Sequence, residues 1–218
     1  MTDYTLIIGN KNYSSWSLRP WLAMKVGGIA FTEQLIPLFD DNWGDDIAKV
    51  SPSLRVPVLQ HGDLTIWETL AIMEYIAERH PDAGLWPKDQ AARAIARAVS
   101  CEMHSGFTAL RGNMPMNIRK SLPGKGMGDG VAADIARVCA IWRDCRERFG
   151  NGGPFLFGTF TNADAMFAPV VSRLTTFCVE LDEPSQAYVD AVQALPAMVE
   201  WSEASRAEKW VVEEDEVD

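Results

Sequence analysis

The strongest constraint on the fold is a change in the pattern of apolar residues about eighty residues into the chain. Before this point, short β-rich runs alternate with stretches of helical spacing. The stretch "PDAGLWPKDQ" (81–90) then has the composition of a linker, and the apolar segments after it have helical character. An alternating unit followed by helices alone predicts a small α/β domain joined to an all-α domain.

The alternating part predicts the order β-α-β-(loop or helix)-β-β-α. "YTLIIG" (4–9) and "FTEQLIPL" (31–38) have strand character, and a helix is predicted between them over 17–28. "VPVLQHGDLTIW" (56–67) predicts a hairpin that turns at His-Gly-Asp, and "ETLAIMEYIAERH" (68–80) predicts a helix with a broad apolar face. The first helix therefore crosses between neighbouring strands, and the last two strands pair as a hairpin.

Segments with helical spacing fill the rest of the chain. They are 90–112, 131–150, 161–181 and two shorter stretches, "SQAYVDAVQAL" and "PAMVEWSEASR". The acidic tail "VVEEDEVD" is typical of a solvated chain end. We therefore place a small α/β domain at residues 1–82, a linker at 83–89 and a helical domain at 90–218.

Charge and composition exclude several classes of function. The 218 residues carry a formal net charge of -10 and the sequence pI is about 4.8, whereas nucleic-acid binding favours a basic face. No apolar run is long enough to span a bilayer and the N-terminus does not resemble a signal peptide, so we expect a cytoplasmic protein that binds neither membranes nor nucleic acid.

Buried free thiols are the expected state of Cys101, Cys139, Cys145 and Cys178. We expect no metal site, because the three histidines have no ligand spacing with one another or with cysteine.

A hydroxyl-rich segment, "NYSSWSLRPWLAM" (12–24), joins the first strand to the first helix. Proline is tolerated in the first turn of a helix, so Pro20 predicts a helix start close to Ser17, with the serines at its N-terminus. Hydroxyl groups at a helix N-terminus usually cap the helix. The same position also stabilises an anion such as a thiolate, which here would have to arrive with a ligand because the segment contains no cysteine.

Two further pairs of residues each have a structural and a functional interpretation. Val56–Pro57, at the start of a predicted strand, is compatible with an edge-strand proline or with a cis bond that exposes the Val56 backbone to an extended ligand. Glu68–Thr69, at the start of the third helix, is compatible with a helix cap. The alternative is a clamp for a zwitterionic head group, in which Glu68 pairs with an ammonium group and Thr69 holds a carboxylate.

Taken together, these features resemble the glutathione transferase family. The resemblance is carried by "NYSSWSLRPWLAM" (12–24), "SPSLRVPVL" (51–59), "WETLAIMEYIAERHP" (67–81) and "FTNADAMFAPVVSRL" (160–174). It implies a thioredoxin-like N-terminal domain, an all-α C-terminal domain, glutathione as co-substrate and a homodimer. The pattern "SSWS-x-R" is most similar to the zeta-like serine classes, although Trp16 stands where their pattern has cysteine.

The resemblance places the residue that activates the glutathione thiol at Ser14. Ser15 is the alternative, because the loop geometry decides which hydroxyl group faces the sulfur. A hydroxyl group that donates to the sulfur, together with the helix N-terminus, lowers the pKa of a thiol that ordinarily titrates at roughly 8.5. The thiolate then attacks an electrophilic carbon, so the serine is expected to be a hydrogen-bond donor and not a nucleophile.

The resemblance also implies a set of glutathione-binding residues. They are Ser17, Val56, Pro57, Glu68 and Thr69. A cis Pro57 would leave the Val56 backbone bonded to the cysteinyl unit of glutathione. Glu68 and Thr69 would hold the γ-glutamyl end.

The second substrate is expected between the domains, against "CEMHSGFTALRGNMPMN" (101–117). His104, Phe107 and Arg111 lie on one stripe of the predicted helix and are the candidate substrate residues. Arg111 is suited to a substrate carboxylate or to a surface acid. The alternative for Phe107 is ordinary core packing between the domains.

Thr161 and Asp164 form a capping-box pattern, with Asp in place of the usual Glu. The resemblance implies a folding role for this box, so we expect it to be structural. Removing Asp164 is then expected to destabilise the protein by roughly 0.5–2 kcal/mol.

These features together favour a glutathione S-transferase that activates the thiol for attack on a small electrophile. The reaction would be conjugation, as in detoxification, or cis–trans isomerisation. A non-catalytic binding or regulatory protein with the same fold is the alternative. A thiol–disulfide or peroxide-reducing enzyme ranks third, because serines stand where a Cys-x-x-Cys pair would lie.

Overall fold

The computed structural model describes residues 3–217, which form a four-stranded sheet and nine α-helices. The strands are β1 (Tyr4–Ile8), β2 (Thr32–Leu35), β3 (Val58–His61) and β4 (Leu64–Ile66). The helices are α1 (Ser15–Val26), α2 (Trp43–Ala48), α3 (Thr69–Arg79), α4 (Gln90–Ser105), α5 (Thr108–Asn113), α6 (Val131–Phe149), α7 (Asn162–Thr176), α8 (Glu183–Gln193) and α9 (Pro196–Ala207). Within the described residues, no helix is long and apolar enough to cross a membrane.

The sheet has the strand order β2-β1-β3-β4. Strand β1 pairs in parallel with β2, where Ile7 lies opposite Gln34, and antiparallel with β3, where Leu6 lies opposite Leu59. Helix α1 therefore crosses between parallel neighbours. Strands β3 and β4 form the predicted hairpin, whose turn contains Gly62 with a φ of 56°. The predicted order of strands and helices is confirmed.

Helix α1 lies at the centre of the molecule. It packs against α3 on one side and against α7 and α9 on the other. The ring of Trp21 lies 5.0 Å from that of Trp201 in α9, and Arg19 Nε donates to the carbonyl oxygen of Met166 in α7 at 3.1 Å. Both parts of the chain therefore fix the position of the α1 N-terminus.

Pro20 lies deeper in α1 than predicted. The helix begins at Ser15, close to Ser17 and with the serines at its N-terminus as predicted, but Pro20 falls in its second turn and not in its first. A proline there cannot donate to the carbonyl oxygen four residues earlier, which belongs to Trp16. Thr69 Oγ1 donates to this oxygen at 3.0 Å. A side chain of α3 thus replaces the missing backbone hydrogen bond and allows the helix to continue.

The helix predicted over 90–112 is two helices, and the chain changes direction between them. Gly106 follows α4, and a Cβ atom at this position would lie 2.7 Å from the carbonyl oxygen of Glu102. Phe107 then has a φ of 57°. His104 and Arg111 therefore lie on different helices, and the prediction that they share one helical stripe is wrong.

The predicted capping box is present at the start of α7. Asp164 accepts hydrogen bonds from the N–H of Thr161 at 2.8 Å, the N–H of Leu156 at 3.0 Å and the hydroxyl group of Tyr188 at 3.1 Å. The carboxyl group is fully buried, and burial raises its pKa to about 6. The box therefore ties α7 both to the preceding loop and to α8.

The acidic tail is not a solvated chain end, which corrects the prediction. After α9 the chain returns over the loop between β1 and α1. The Glu208 carboxylate accepts from the backbone N–H of Lys11 at 2.7 Å and of Asn12 at 3.1 Å. Glu216 accepts from the hydroxyl group of Tyr13 at 2.6 Å. The acidic side chains lie here because the loop between β1 and α1 has N–H and hydroxyl groups that donate hydrogen bonds to them.

The four cysteines are free thiols. The expectation that they are buried is correct for Cys139 and Cys145 and wrong for Cys101 and Cys178, which are exposed. Burial raises the pKa of Cys145 to about 12. Cys145 is therefore an un-ionised thiol of the core at neutral pH.

Candidate functional site

Two neighbouring cavities adjoin the N-terminus of α1. The first, which we call the serine cavity, has a volume of about 460 Å³ and is lined by residues that include Ser14, Ser15, Trp16, Val56, Arg111, Arg173 and Asp215. The second, the glutamate cavity, has a volume of about 420 Å³ and is lined by residues that include Trp16, Val56, Pro57, Glu68, Thr69, His104 and Arg111. Because Trp16, Val56 and Arg111 line both, the two cavities form one candidate site.

The hydroxyl group of Ser14 is engaged in the fold. Its Oγ accepts from the N–H of Ser17 at 3.4 Å and donates its own proton to Ser17 Oγ at 2.7 Å. Ser17 is fully buried, and its Oγ also accepts from the N–H of Gly9 at 3.1 Å. Ser17 lies outside both cavity walls, and its contact with glutathione stays a prediction. Its hydroxyl group anchors the loop between β1 and α1.

The hydroxyl group of Ser15 keeps its proton available. Ser15 is the first residue of α1 and is 8% exposed, on the wall of the serine cavity. Its Oγ accepts from Arg173 Nη2 at 3.4 Å. Within the described residues, this hydroxyl group donates no hydrogen bond. Because the positive end of the α1 dipole lies at the same place, the position favours a negatively charged atom.

Glu68 caps α3 and also reaches the glutamate cavity. Its Oε1 accepts from the N–H of Leu70 at 2.8 Å and of Ala71 at 3.2 Å, so the interpretation as a helix cap is confirmed. Its Oε2 pairs with His104 Nε2 of α4. The side chain of Glu68 remains 46% exposed, so a ligand can reach its carboxylate. His104, predicted to contact the electrophile, lies beside the predicted glutathione residue Glu68.

The remaining predicted glutathione residues line the same cavity. The Val56–Pro57 peptide bond is cis, as the resemblance implied. Thr69 is buried, and its hydroxyl proton is donated to the carbonyl oxygen of Trp16. The predicted contact of Thr69 with a ligand carboxylate stays a prediction. The backbone N–H of Thr69, at the start of α3, remains the group suited to that role.

Three arginines converge on Trp16 and Ser15. The Cζ atoms of Arg19 and Arg111 lie 4.2 Å and 5.1 Å from the Trp16 ring centroid, within cation–π range. Arg173 is buried, its Nε donates to the carbonyl oxygen of Met114 at 2.7 Å, and its Nη1 has no hydrogen-bond partner. Burial, assisted by the charge of Arg111, lowers the pKa of Arg173 to about 10. The group remains charged at neutral pH and attracts anions.

Phe107 does not reach the site. It is 7% exposed, packs in the main core as the alternative interpretation expected, and lines neither cavity. Arg111 lines both cavities, and its Nη1 donates to the carbonyl oxygens of His104 at 3.4 Å and Gly106 at 3.3 Å. The left-handed backbone at Phe107 turns its side chain into the core while Arg111 reaches the cavities.

Comparison with known proteins supports the resemblance to the glutathione transferase family that the sequence indicates. Residues 13–79 match the family described as "Glutathione S-transferase, N-terminal domain". A glutathione transferase homologue from Burkholderia gl BGR1, solved with bound glutathione, superposes with a TM-score of 0.73 over 94% of this chain and 99% of that chain, at 24% identity. The predicted glutathione transferase fold is therefore confirmed.

The curated proteins that this chain is similar to include two isomerases. A probable maleylacetoacetate isomerase from Caenorhabditis elegans is 35% identical over 96 residues, which are 44% of each chain. The chain thus spans less than half the length of that relative in the alignment. A maleylpyruvate isomerase from Ralstonia sp is 28% identical over 78% of this chain and 85% of the relative. These relatives support the zeta-like resemblance of the serine motif.

Three residues of the candidate site have no counterpart among the residues predicted from the sequence: Tyr13, Arg173 and Asp215. All three line the serine cavity. An arginine within an otherwise apolar helical segment, such as Arg173 in "FAPVVSRL", is a signal that charge is needed inside the protein. Asp215 has no such local signal, because its position depends on the path of the whole tail.

Proposed function

We propose that the protein is a glutathione transferase that acts on an electrophile bearing a carboxylate, and that Ser15 supplies the hydrogen bond to the sulfur. One observation carries this proposal. The available hydroxyl proton of Ser15 lies beside the buried, incompletely bonded guanidinium group of Arg173, in a single cavity at the start of α1. The site thus offers a donor for a thiolate next to a cation for a second anionic group.

Glutathione would occupy the glutamate cavity and extend towards Ser15. The exposed carboxylate of Glu68 is suited to the γ-glutamyl ammonium group, and the N–H of Thr69 to its carboxylate. The Val56 backbone lies on the wall common to both cavities, where the cysteinyl unit would pass. This arrangement follows the family resemblance and supports Ser15 as the residue that the sulfur reaches.

The Ser15 hydroxyl group lowers the pKa of the bound thiol by donating a hydrogen bond to the sulfur. The helix N-terminus and the charge of Arg173 act in the same direction. The thiolate adds to a carbon–carbon double bond conjugated with a carbonyl group, whose oxygen receives the electron pair. Rotation about the resulting single bond and expulsion of the thiolate give the isomer. Protonation at carbon gives the conjugate instead.

The electrophile is expected to be an anion because the walls near Ser15 carry guanidinium groups. Arg111 lines both cavities, and Arg173 has a buried nitrogen without a partner. A substrate carboxylate would provide the missing acceptor, and charge-assisted hydrogen bonds of this kind are strong. The two curated relatives described above are named as isomerases of maleyl compounds, which favours isomerisation of an unsaturated acid.

The test is turnover of maleylpyruvate with glutathione by the wild type, Ser15→Ala and Ser14→Ala. We expect Ser15→Ala to lower kcat roughly 10²-fold, as the loss of one donor to a reactive anion does. Ser14→Ala is the matched control, since it removes a neighbouring hydroxyl group whose proton is bound by Ser17. A larger loss in Ser14→Ala than in Ser15→Ala would contradict the assignment. Binding of glutathione without turnover of any tested electrophile would favour the non-catalytic alternative.

We further propose, from the family resemblance, a cytoplasmic homodimer with a role in detoxification. Light scattering coupled to size-exclusion chromatography measures the molar mass in solution. We expect twice the 24.2 kDa mass of the chain. A monomer over the whole accessible concentration range would contradict this proposal.

A further inference from the structure

The C-terminal tail, residues 208–217, brings an acidic side chain into the serine cavity. Asp215 lines this cavity together with Ser15 and Arg173. It belongs to a short 3₁₀ turn, Glu213–Asp215, that follows the buried Val212. A carboxylate of the chain itself therefore lies in the same cavity as the cation proposed to bind the substrate carboxylate.

The tail is held in place by contacts on both sides of Asp215. On one side, Arg119 Nη1 donates to the carbonyl oxygen of Glu208 at 2.7 Å, and Arg119 Nη2 donates to that of Trp210 at 2.9 Å. On the other side, Glu216 accepts from Asn117 Nδ2 at 2.9 Å and pairs with Lys120 at 2.9 Å. The position of Asp215 is thus set by the fold and does not depend on a ligand.

We propose that Asp215 is a specificity-determining residue. Its carboxylate is the internal counter-charge of Arg173, and an anionic group of the substrate competes with this carboxylate for Arg173. The proposal rests on the proposed function only in naming that group as the carboxylate of the electrophile. Asp215 and Arg173 do not form a direct ion pair of 4 Å or less, and the buried Arg173 Nη1 has no hydrogen-bond partner. Asp215 therefore reduces the positive potential of the cavity without blocking its donor.

The electrostatics of the cavity agree with this arrangement. Burial raises the pKa of Asp215 to about 6, while the charge of Arg173 opposes that rise. As the pH falls through this value, the carboxyl group takes up a proton and the cavity becomes more positive. The charged and titratable groups around Asp215 are Tyr13, Arg55, Arg111 and Arg173 on the cavity wall and Glu214 and Glu216 in the tail. Arginine and tyrosine do not titrate near pH 6, so among the wall groups only Asp215 changes charge there.

The test measures anion binding by the full-length protein without glutathione, by isothermal titration calorimetry. The probes are fumarate, a small dicarboxylate, and its neutral analogue fumaramide. The variant Asp215→Asn removes the internal charge, and Glu214→Gln is the matched control because it changes the same charge at the exposed neighbouring position. Because glutathione is omitted, this test measures anion binding alone. The proposed function is tested separately, by turnover with glutathione.

We expect Asp215→Asn to bind fumarate about tenfold more tightly, the effect of removing one nearby like charge at the dielectric constant of a protein surface. Glu214→Gln should bind fumarate as the wild type does, and fumaramide should not distinguish the three proteins. Wild-type affinity for fumarate should rise as the pH falls through about 6, and that of Asp215→Asn should stay nearly constant. Equal fumarate affinity in Asp215→Asn and the wild type would overturn the proposal. So would an equal gain in Glu214→Gln, or an absence of fumarate binding in all three proteins.

Discussion

Replacing Asp164 with alanine tests whether the capping box at the start of α7 stabilises the whole protein. The change leaves the buried N–H groups of Leu156 and Thr161 without an acceptor. The hydroxyl groups of Thr161 and Tyr188 lose the same acceptor. At roughly 1.5 kcal/mol for each of the four orphaned donors, the cost is about 5–7 kcal/mol. Relief of the buried charge offsets part of this, because a pKa shift of about two units corresponds to about 3 kcal/mol. We expect a net loss of about 2–4 kcal/mol, more than a cap alone provides.

The assay is thermal unfolding followed by circular dichroism. For a chain of this length, the expected loss lowers Tm by about 5–15 °C. Asp89→Ala is the matched control, since Asp89 caps α4 through one hydrogen bond to Ala92 N–H and is exposed. We expect that variant to lose about 1 kcal/mol. A Tm of Asp164→Ala that is no lower than that of Asp89→Ala would refute the reasoning.

Three further predictions concern the backbone and the site. Gly106→Ala should destabilise the protein by about 1–3 kcal/mol in urea unfolding, because its Cβ atom would overlap the Glu102 carbonyl oxygen. Gly112→Ala, which has open space inside helix α5, should instead stabilise it by roughly 0.5–1 kcal/mol, and equal effects would count against the close approach at position 106. Glu68→Gln should weaken glutathione binding about tenfold in calorimetry, and an unchanged Kd would remove Glu68 from the binding residues. Arg173→Met should lower kcat/KM for a carboxylate electrophile by more than for a neutral one, and an equal loss for both would contradict an anion subsite.

The order of elements was predictable because it depends on local patterns. Alternation of strand and helix signals, the His-Gly-Asp turn and the Thr161–Asp164 box each depend on residues close together in sequence. The break between α4 and α5 was missed because Gly106 lies within an amphipathic pattern that continues on both sides. The place of Pro20 in the second turn of α1 was not predicted, because the hydrogen bond that compensates for it comes from Thr69, which is distant in sequence.

The site was only partly predictable for the same reason. Glu68 and Val56 could be selected from short motifs, and both line the cavities. The choice between Ser14 and Ser15 depends on the Ser17 hydroxyl group, and no local pattern encodes that contact. Asp215 was assigned to a solvated tail because composition does not reveal that the tail returns to the loop between β1 and α1.

The most direct test of the central claim is the ionisation of the glutathione thiol in the complex. The ultraviolet difference absorbance of the thiolate is measured against pH for the wild type, Ser15→Ala and Ser14→Ala. We predict that the thiol of the wild-type and Ser14→Ala complexes titrates below the value of roughly 8.5 for a free thiol, whereas that of Ser15→Ala returns towards it. A Ser15→Ala complex whose thiol titrates as in the wild type would contradict the role assigned to Ser15.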